Sequence, residues 1–244
     1  MRKKAATPSA ASNLGKGKIA TAVAVLGEKI IAKDFPPDRP LPIEADLAQD
    51  INVGRSVLRE AVKVLASKGM VSARPRHGTV ILPREHWNLF DPDVLHWLLR
   101  PSVVEPDLLR DILVARRIIE PEAARLSAAY ANDADKRAIT SAYKAMVAAA
   151  GNPEASVEAD IRFHTAVLAA SHNRILVAFS PAIRTILSAF FQISIQNPEI
   201  FRSNLDAHGE VANQIGANAP DEAYKAMLAV LGTTEKDLTE RLKL

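Results

Sequence analysis

"PIEADLAQDINVGRSVLREAVKVLASKG", residues 42–69, has the pattern of a short helix, a tight turn and a longer helix. Pro42 suits a first helical turn, and Leu47 and Ile51 are spaced i, i+4 on one helical face. In the second half, apolar residues recur on one face and arginines on another, and Gly69 is typical of a helix C-terminus. This order predicts a helix-turn-helix.

The flanking segments complete a winged helix. Residues 18–35 carry apolar residues at helical spacing before a proline-rich stop, and residues 70–83 favour two strands around a basic turn. In such a fold the second helix enters the major groove, and the wing reaches phosphates or the minor groove. The candidate DNA contacts are Arg55, Ser56 and Arg59 on the second helix, and Arg74, Arg76, His77 and Gly78 at the tip of the wing. The alternative is that these charges form only the solvated face of a small helical domain.

Charge is divided unevenly along this chain of 244 residues, whose net charge is +3. Residues 1–84 hold 15 Lys and Arg against 7 Asp and Glu, a balance of +8. Residues 85–244 hold 16 against 21, a balance of −5. The basic part therefore indicates an anionic polymer, double-stranded DNA, as its partner, and the acidic part indicates a different role.

Composition excludes several other classes of protein. Without cysteine, the chain has no disulfide, no thiolate chemistry and no Cys-ligated metal. No apolar h-region follows the basic start, and no uncharged run of about 18 apolar residues occurs, so we expect a cytoplasmic protein. We assign a flexible basic tail to residues 1–15, a winged helix-turn-helix domain to 16–84, a linker to 85–101 and a helical domain to 102–244.

Apolar residues keep helical spacing through the rest of the chain. The predicted helices lie near residues 91–100, 105–130, 134–150, 153–172, 174–196, 199–218 and 220–241. No strand pattern interrupts them. The sequence thus predicts a mainly α protein whose C-terminal part is an all-α bundle of six or seven helices.

Polar residues at otherwise apolar positions mark a candidate site in the bundle. Asp160 and His164, in "DIRFH", share one helical face, and His208 opens a later helix. A carboxylate and two imidazoles that converge from two helices suit a divalent metal ion. A catalytic pair or ordinary core packing would give the same local pattern, so the three readings stay open.

The same region is a candidate site for a small acid. The candidate effector-binding residues are Arg116, Asp160, His164, Asn173 and His208. Arg116 is suited to a bidentate grip on a carboxylate, and the histidines and Asn173 to hydroxyl or carboxylate oxygens. The alternative for Arg116 is a salt bridge to Glu120, its i+4 neighbour.

"LPIEADLAQDINVGRSVLREAVKVLASKGMVSARPRHGTVI", residues 41–81, resembles the winged-helix signature of the GntR family of bacterial transcription regulators. Residue by residue, the resemblance implies DNA contacts at Arg55, Ser56, Arg59, His77 and Gly78. The chain departs from relatives of the FadR type at Ala45 and Gly54, where they carry an Arg and a Ser or Thr. The resemblance therefore implies DNA binding but no particular operator sequence.

Three later blocks, "LVARRIIEPEAARLSAA", "EADIRFHTAVLAASHN" and "AHGEVANQI", resemble the FCD effector domain of the FadR subfamily. In metal-containing members of that subfamily, an Asp and a His one turn apart and two later His hold a divalent ion that helps to bind a carboxylate effector. Asp160, His164 and His208 match the first three ligands, and Val230 stands at the place of the fourth. The resemblance implies either an open three-ligand site, for Zn²⁺, Ni²⁺ or Mn²⁺, or a purely hydrogen-bonded pocket.

The segment "REHWNLFDPDVLHWLL", which holds both tryptophans, is similar to that of regulators of galactonate operons. This resemblance implies a sugar-acid effector, an aldonate such as galactonate. We therefore predict a dimeric repressor that leaves a palindromic operator when it binds the acid. The alternatives are a metal-dependent enzyme, for which the chain lacks a Gly-rich phosphate loop and a nucleophile motif, and a DNA-binding protein without a ligand.

Overall fold

The chain divides into two compact units, unit 1 (Met1–Val103) and unit 2 (Val104–Leu244). The computed structural model describes residues 17–36, 39–74, 78–149, 151–194 and 198–242. The predicted flexible tail, residues 1–15, lies outside the described residues. Among the described residues, no helix combines the length and the apolar character needed to cross a membrane.

Unit 1 contains the predicted winged helix-turn-helix. Its elements are α1 (Lys18–Ile31), α2 (Glu44–Asp50), α3 (Arg55–Ser67), β1 (Val71–Arg74), β2 (Gly78–Ile81) and α4 (Pro92–Leu98). The strands pair antiparallel, with Val71 opposite Ile81 and Arg74 opposite Gly78. Asn52 takes a φ of 54° between α2 and α3, a conformation that Asn tolerates better than most residues. This residue produces the tight turn of the motif.

The helical spacing of apolar residues forms the core of unit 1. Val23 and Leu26 of α1 are fully buried, as are Leu58 and Leu65 of α3, and the two helices pack against each other. Burying each of these side chains contributes about 1.5–3 kcal/mol relative to leaving it exposed. The core therefore fixes which face of α3 remains at the surface.

Residues 85–101, assigned as a linker from sequence, pack within unit 1. Trp87 Nε1 donates a hydrogen bond to the carbonyl oxygen of Leu82 at 2.8 Å, and Trp97 of α4 is buried against α1. A Cβ at Gly27 of α1 would overlap the Trp97 ring. Both tryptophans thus fasten this segment onto the winged helix-turn-helix of unit 1.

A buried ion cluster joins the end of α3 to the start of α4. Lys68 Nζ lies 2.7 Å from both carboxylate oxygens of Asp91 and 2.8 Å from Asp93 Oδ2. Lys68 and Asp93 are only 7% and 2% exposed. Asp91 also caps α4 by accepting hydrogen bonds from the backbone N–H groups of Asp93 and Val94. Because buried charges are costly unless they are paired, this cluster ties α3 to α4.

Unit 2 is the predicted all-α bundle, which confirms the fold class. Its helices are α5 (Pro106–Tyr130), α6 (Asp133–Ala148), α7 (Pro153–Ala170), α8 (Arg174–Ala178), α9 (Ser180–Ser194), α10 (Pro198–Gly216) and α11 (Pro220–Leu242). The predicted helix 174–196 divides into α8 and α9 at Phe179. The reason is Pro181, which has no N–H to continue the helical hydrogen bonds.

Helix α7 runs through the core of unit 2 and packs against α5, α6 and α9. Its Phe163 is completely buried, and Asn152 caps its first turn by accepting a hydrogen bond from the N–H of Ala155. Asn132 starts α6 with a capping box that includes Asp135. These local caps fix where α6 and α7 begin.

Candidate functional site

The first turns of α3 present the predicted base contacts on an exposed surface. Arg55, Ser56 and Arg59 are all exposed. Arg59 Nε lies 2.8 Å and 3.1 Å from the two carboxylate oxygens of Glu44 in α2, a partner that the sequence analysis did not identify. Exposed pairs of this kind are weak, so Glu44 does not prevent Arg59 from taking another acceptor.

The wing brings its predicted contacts to the end of the hairpin. Arg74 is exposed at the end of β1, opposite Gly78 at the start of β2. Gly78 has a φ of +76°, a conformation that glycine adopts without strain. Arg76 and His77 lie outside the described residues. The DNA contacts at the wing therefore stay predictions.

In unit 2, the two helices α7 and α10 bring the three predicted metal ligands together. His208 Nε2 lies 3.2 Å from Asp160 Oδ1 and 3.3 Å from His164 Nε2. His164 Nε2 lies 3.7 Å from Asp160 Oδ1. Both histidines are 2% exposed, whereas the Asp160 side chain keeps 22% exposure. One oxygen and two nitrogen donors thus lie within 4.8 Å of one another.

The other nitrogen of each imidazole fixes how the rings face this cluster. His208 Nδ1 donates to the backbone oxygen of Asn204 at 2.7 Å, which leaves Nε2 facing the cluster. His164 Nδ1 lies 2.5 Å from Glu120 Oε2, so the Glu120 carboxylate faces this nitrogen. Metal-binding histidines commonly have such a partner on the second nitrogen. The three donor atoms therefore fit a divalent cation.

Aromatic packing holds both rings of this cluster. The ring of Phe163 meets the rings of His164 and His208 edge to face, with centroids 5.8 Å and 5.1 Å apart. Aromatic pairs favour this geometry. Phe163 thus packs an apolar ring against both imidazoles.

Arg116 and Glu120 of α5 extend the cluster. Arg116 Nε donates to Glu120 Oε1 at 2.5 Å, so the salt bridge considered as the alternative for Arg116 is present. Arg116 is 2% exposed, its guanidinium lies 5.6 Å from the Phe190 ring centroid, and its Nη1 makes no hydrogen bond to the described residues. The salt bridge uses one edge of the guanidinium and leaves Nη1 for another acceptor.

Electrostatics keep the carboxylates of this network ionised. Burial raises the pKa of Glu120, but the charges of Arg116 and His164 outweigh it and lower the pKa to about 2. Burial also raises the pKa of Asp160, and the two histidines reverse this effect and lower it. Burial lowers the pKa of His164, but the carboxylates of Glu120 and Asp160 more than offset this and raise it. The site therefore favours a bound cation, which is either a proton or a metal ion.

Val230 and Asn204 define another part of the site. Val230 is 1% exposed and offers no side-chain donor, and its backbone oxygen accepts a hydrogen bond from Asn204 Nδ2 at 3.2 Å. Asn204 is 8% exposed and lies one turn before His208 on α10. The sequence analysis missed Asn204 and gave Glu120 only a salt-bridging role. In both cases the i, i+4 spacing to a predicted site residue was the available signal.

Asn173, a predicted effector contact, lies in a different environment. Its side chain is exposed and its carboxamide oxygen caps α8 by accepting from the backbone N–H groups of Ile175 and Leu176. The cluster around His164 is buried. The structure thus gives Asn173 a local capping role and does not gather it with the other predicted residues.

Comparisons with known proteins assign each unit to a described family. Residues 18–81 match the gntR family of bacterial regulatory proteins, and residues 111–233 match the FCD domain. The first match covers the winged helix, and the second covers the buried cluster.

Two relatives and one solved structure cover nearly the whole chain. The chain is 32% identical to the galactonate operon transcriptional repressor of Escherichia coli over 89% of its own length and 95% of the relative. It is 33% identical to the putative L-lactate dehydrogenase operon regulatory protein of Escherichia coli, over 85% and 82% of the two chains. Lar of Listeria monocytogenes is 18% identical and has the same fold, with a TM-score of 0.66 over 92% of this chain and 98% of that one.

Proposed function

Because this chain belongs to the GntR family of bacterial regulatory proteins and carries an FCD domain, we propose that it is a repressor that a small hydroxy acid releases from DNA. The chain is a DNA-binding transcription regulator and not an enzyme. The repressor role, the acid and the metal are the parts that we propose.

One observation carries the proposal of an acid ligand: the buried Arg116 Nη1, which makes no hydrogen bond to the described residues. Buried donors normally have a partner, and a charged donor left without one is especially costly. A carboxylate that accepts from this nitrogen would neutralise the guanidinium and satisfy it. The nearby imidazoles and Asp160 then suit the hydroxyl oxygens of the same molecule.

The name of one relative supports a sugar acid as the effector. The Escherichia coli relative at 32% identity is a galactonate operon repressor, and galactonate is a carboxylate with several hydroxyl groups. We propose an aldonate such as galactonate for this chain. A thermal-shift screen of aldonates, followed by release of labelled operator DNA with each acid that binds, tests the proposal. If no small acid shifts the melting temperature or the hold on DNA, the chain binds DNA without a ligand.

We also propose that Asp160, His164 and His208 hold a divalent metal ion, for which Zn²⁺, Ni²⁺ and Mn²⁺ are candidates. When bound, such an ion would attract the carboxylate or hydroxyl oxygens of the effector. Val230 supplies no fourth side-chain ligand, so water and the effector would complete the coordination. The acid then binds between a cationic centre and Arg116.

Removing the metal should destabilise the protein. If the ion is present at about 100 times its dissociation constant, chelation removes about 2.7 kcal/mol of stability, so the melting temperature should fall by about 5–10 °C. Adding back the correct ion should restore it. The His208→Ala variant should not respond to chelation, whereas the His172→Ala variant, which changes a half-exposed histidine, should respond as wild type does. If EDTA changes neither the melting temperature nor acid binding of wild type, the metal proposal is wrong.

Control of DNA binding requires two arrangements of the protein, one that fits DNA and one that does not. We propose a homodimer on a palindromic operator, and the exposed Val114 and Ile118 of α5, one turn apart, support an apolar contact with a second copy. The acid must bind more tightly to the arrangement that does not fit DNA. A difference of about 1–3 kcal/mol gives a 5- to 150-fold effect.

The Arg55→Ala variant tests how α3 reads DNA. If Arg55 contacts a base edge, the variant should lose about 1–3 kcal/mol on the operator and much less on random DNA. The Arg76→Ala variant, which removes a predicted phosphate contact, should weaken binding to both DNAs alike and flatten the salt dependence. The measurement is a titration of labelled duplexes, with the operator first selected from random sequences. An equal loss on operator and random DNA for Arg55→Ala would contradict base reading.

A further inference from the structure

A chain of buried polar groups links α5, α7 and α10 of unit 2, from Arg116 to Asn204. It runs from Arg116 to Glu120, from Glu120 to His164, and from His164 to His208, whose Nδ1 donates to the backbone oxygen of Asn204. Two side-chain atoms of these residues have no partner among the described residues: Arg116 Nη1 is a donor without an acceptor, and Asn204 Oδ1 is an acceptor without a donor. Both atoms are buried.

The orientation of the Asn204 amide is fixed by its neighbour. Asn204 Nδ2 lies 3.2 Å from the backbone oxygen of Val230. That oxygen can only accept a hydrogen bond, so the amide nitrogen must face it and the Asn204 carbonyl oxygen must point elsewhere. The unpartnered atom of Asn204 is therefore an acceptor, Oδ1, which needs an O–H or N–H donor.

A carboxylate without a hydroxyl group satisfies only one of these two atoms, Arg116 Nη1. It offers acceptors to Arg116, but it has no hydrogen to donate to Asn204. A hydroxy acid provides both, because its carboxylate accepts from the guanidinium and one of its hydroxyl groups donates to Asn204 Oδ1. Sites that hydrogen-bond a hydroxyl reject analogues without it, since the buried protein group is then left unpaired.

We propose that Asn204 is a specificity-determining residue that selects hydroxyl-bearing acids by accepting a hydrogen bond from one hydroxyl group of the effector. This inference rests on the proposed function, which it deepens by naming the group that distinguishes hydroxy acids from other carboxylates. It depends on two buried, unpartnered atoms, Arg116 Nη1 and Asn204 Oδ1, and not on the identity of any cation held by the histidines.

The ligand-side test uses the unmodified protein. Calorimetric titration compares D-galactonate and D-gluconate, and then the monodeoxy analogues of whichever acid binds more tightly. We expect at least one analogue to bind about 5- to 150-fold more weakly than its parent. If every monodeoxy analogue binds as tightly as the parent acid, Asn204 makes no such contact and the inference is overturned. If no aldonate binds at all, the proposed sugar-acid effector fails first, so the two failures are distinguishable.

The protein-side test removes the Asn204 side chain and compares its effect with that of removing the hydroxyl from the acid. Asn204→Ala should bind the parent acid as weakly as wild type binds the critical analogue, and it should no longer distinguish the two. Asn204→Leu keeps the number and branching of the side-chain heavy atoms and provides a second variant if the alanine variant folds poorly. Asn213→Ala, an exposed asparagine on the same helix α10, is the matched control and should discriminate as wild type does. If a folded Asn204 variant still distinguishes the parent acid from the critical analogue as well as wild type does, the proposal is overturned.

Discussion

Replacing Lys68 with methionine is expected to lower the free energy of unfolding of unit 1 by about 3–5 kcal/mol, because it removes the ammonium group that balances two carboxylates in a buried site. Lys68 Nζ is within 2.8 Å of both Asp91 and Asp93, and the Asp93 side chain is 2% exposed. Methionine has a similar length, so the change removes charge with little loss of volume.

Tryptophan fluorescence during urea unfolding measures this change in the full chain. The chain has two tryptophans, Trp87 and Trp97, and both are buried in unit 1. The midpoint of the fluorescence change therefore reports on unit 1. The matched control is Lys63→Met on the same helix, where the side chain is 73% exposed and the change should stay within about 0.5 kcal/mol. Equal midpoints for the two variants would show that the cluster does not hold α3 against α4.

Replacing Arg116 with alanine is expected to weaken binding of the hydroxy acid by about 2–5 kcal/mol, a loss of roughly 30-fold or more. The variant removes the buried cation that the carboxylate requires, and it also leaves Glu120 without its closest charge partner on α5. The second effect lowers stability as well. The experiment must therefore separate binding from folding.

Arg116→Lys makes that separation. Lysine keeps the positive charge beside Glu120, so the melting temperature should stay closer to that of wild type, but it lacks the planar fork that binds a carboxylate with two hydrogen bonds. Calorimetric titration with D-galactonate should thus show a large loss of affinity in a stable protein. Arg117→Ala, which changes the exposed neighbour that pairs with Glu235, should bind the acid normally. Unchanged affinity in both Arg116 variants would show that this arginine serves only Glu120.

Local patterns in the sequence were sufficient for most of the secondary structure. The helix-turn-helix followed from Leu47 and Ile51 at helical spacing and from Gly69 as a stop, and the structure confirms it. The break at Phe179 was missed, although Pro181 was its visible cause. Helix periodicity also placed Asp160 and His164 on one face, since that depends only on residues one turn apart.

Tertiary structure alone decided which of these faces meet. His164 and His208 are 44 residues apart, and their nitrogens come within 3.3 Å only because α7 and α10 both pack against α5 and α6. The same packing inserts Glu120 between Arg116 and His164, and it leaves Asn173 at an exposed helix cap. The period of a helix fixes the direction of a side chain relative to residues one turn away on the same helix. The contacts between faces depend instead on how the apolar side chains of helices distant in sequence fill one core.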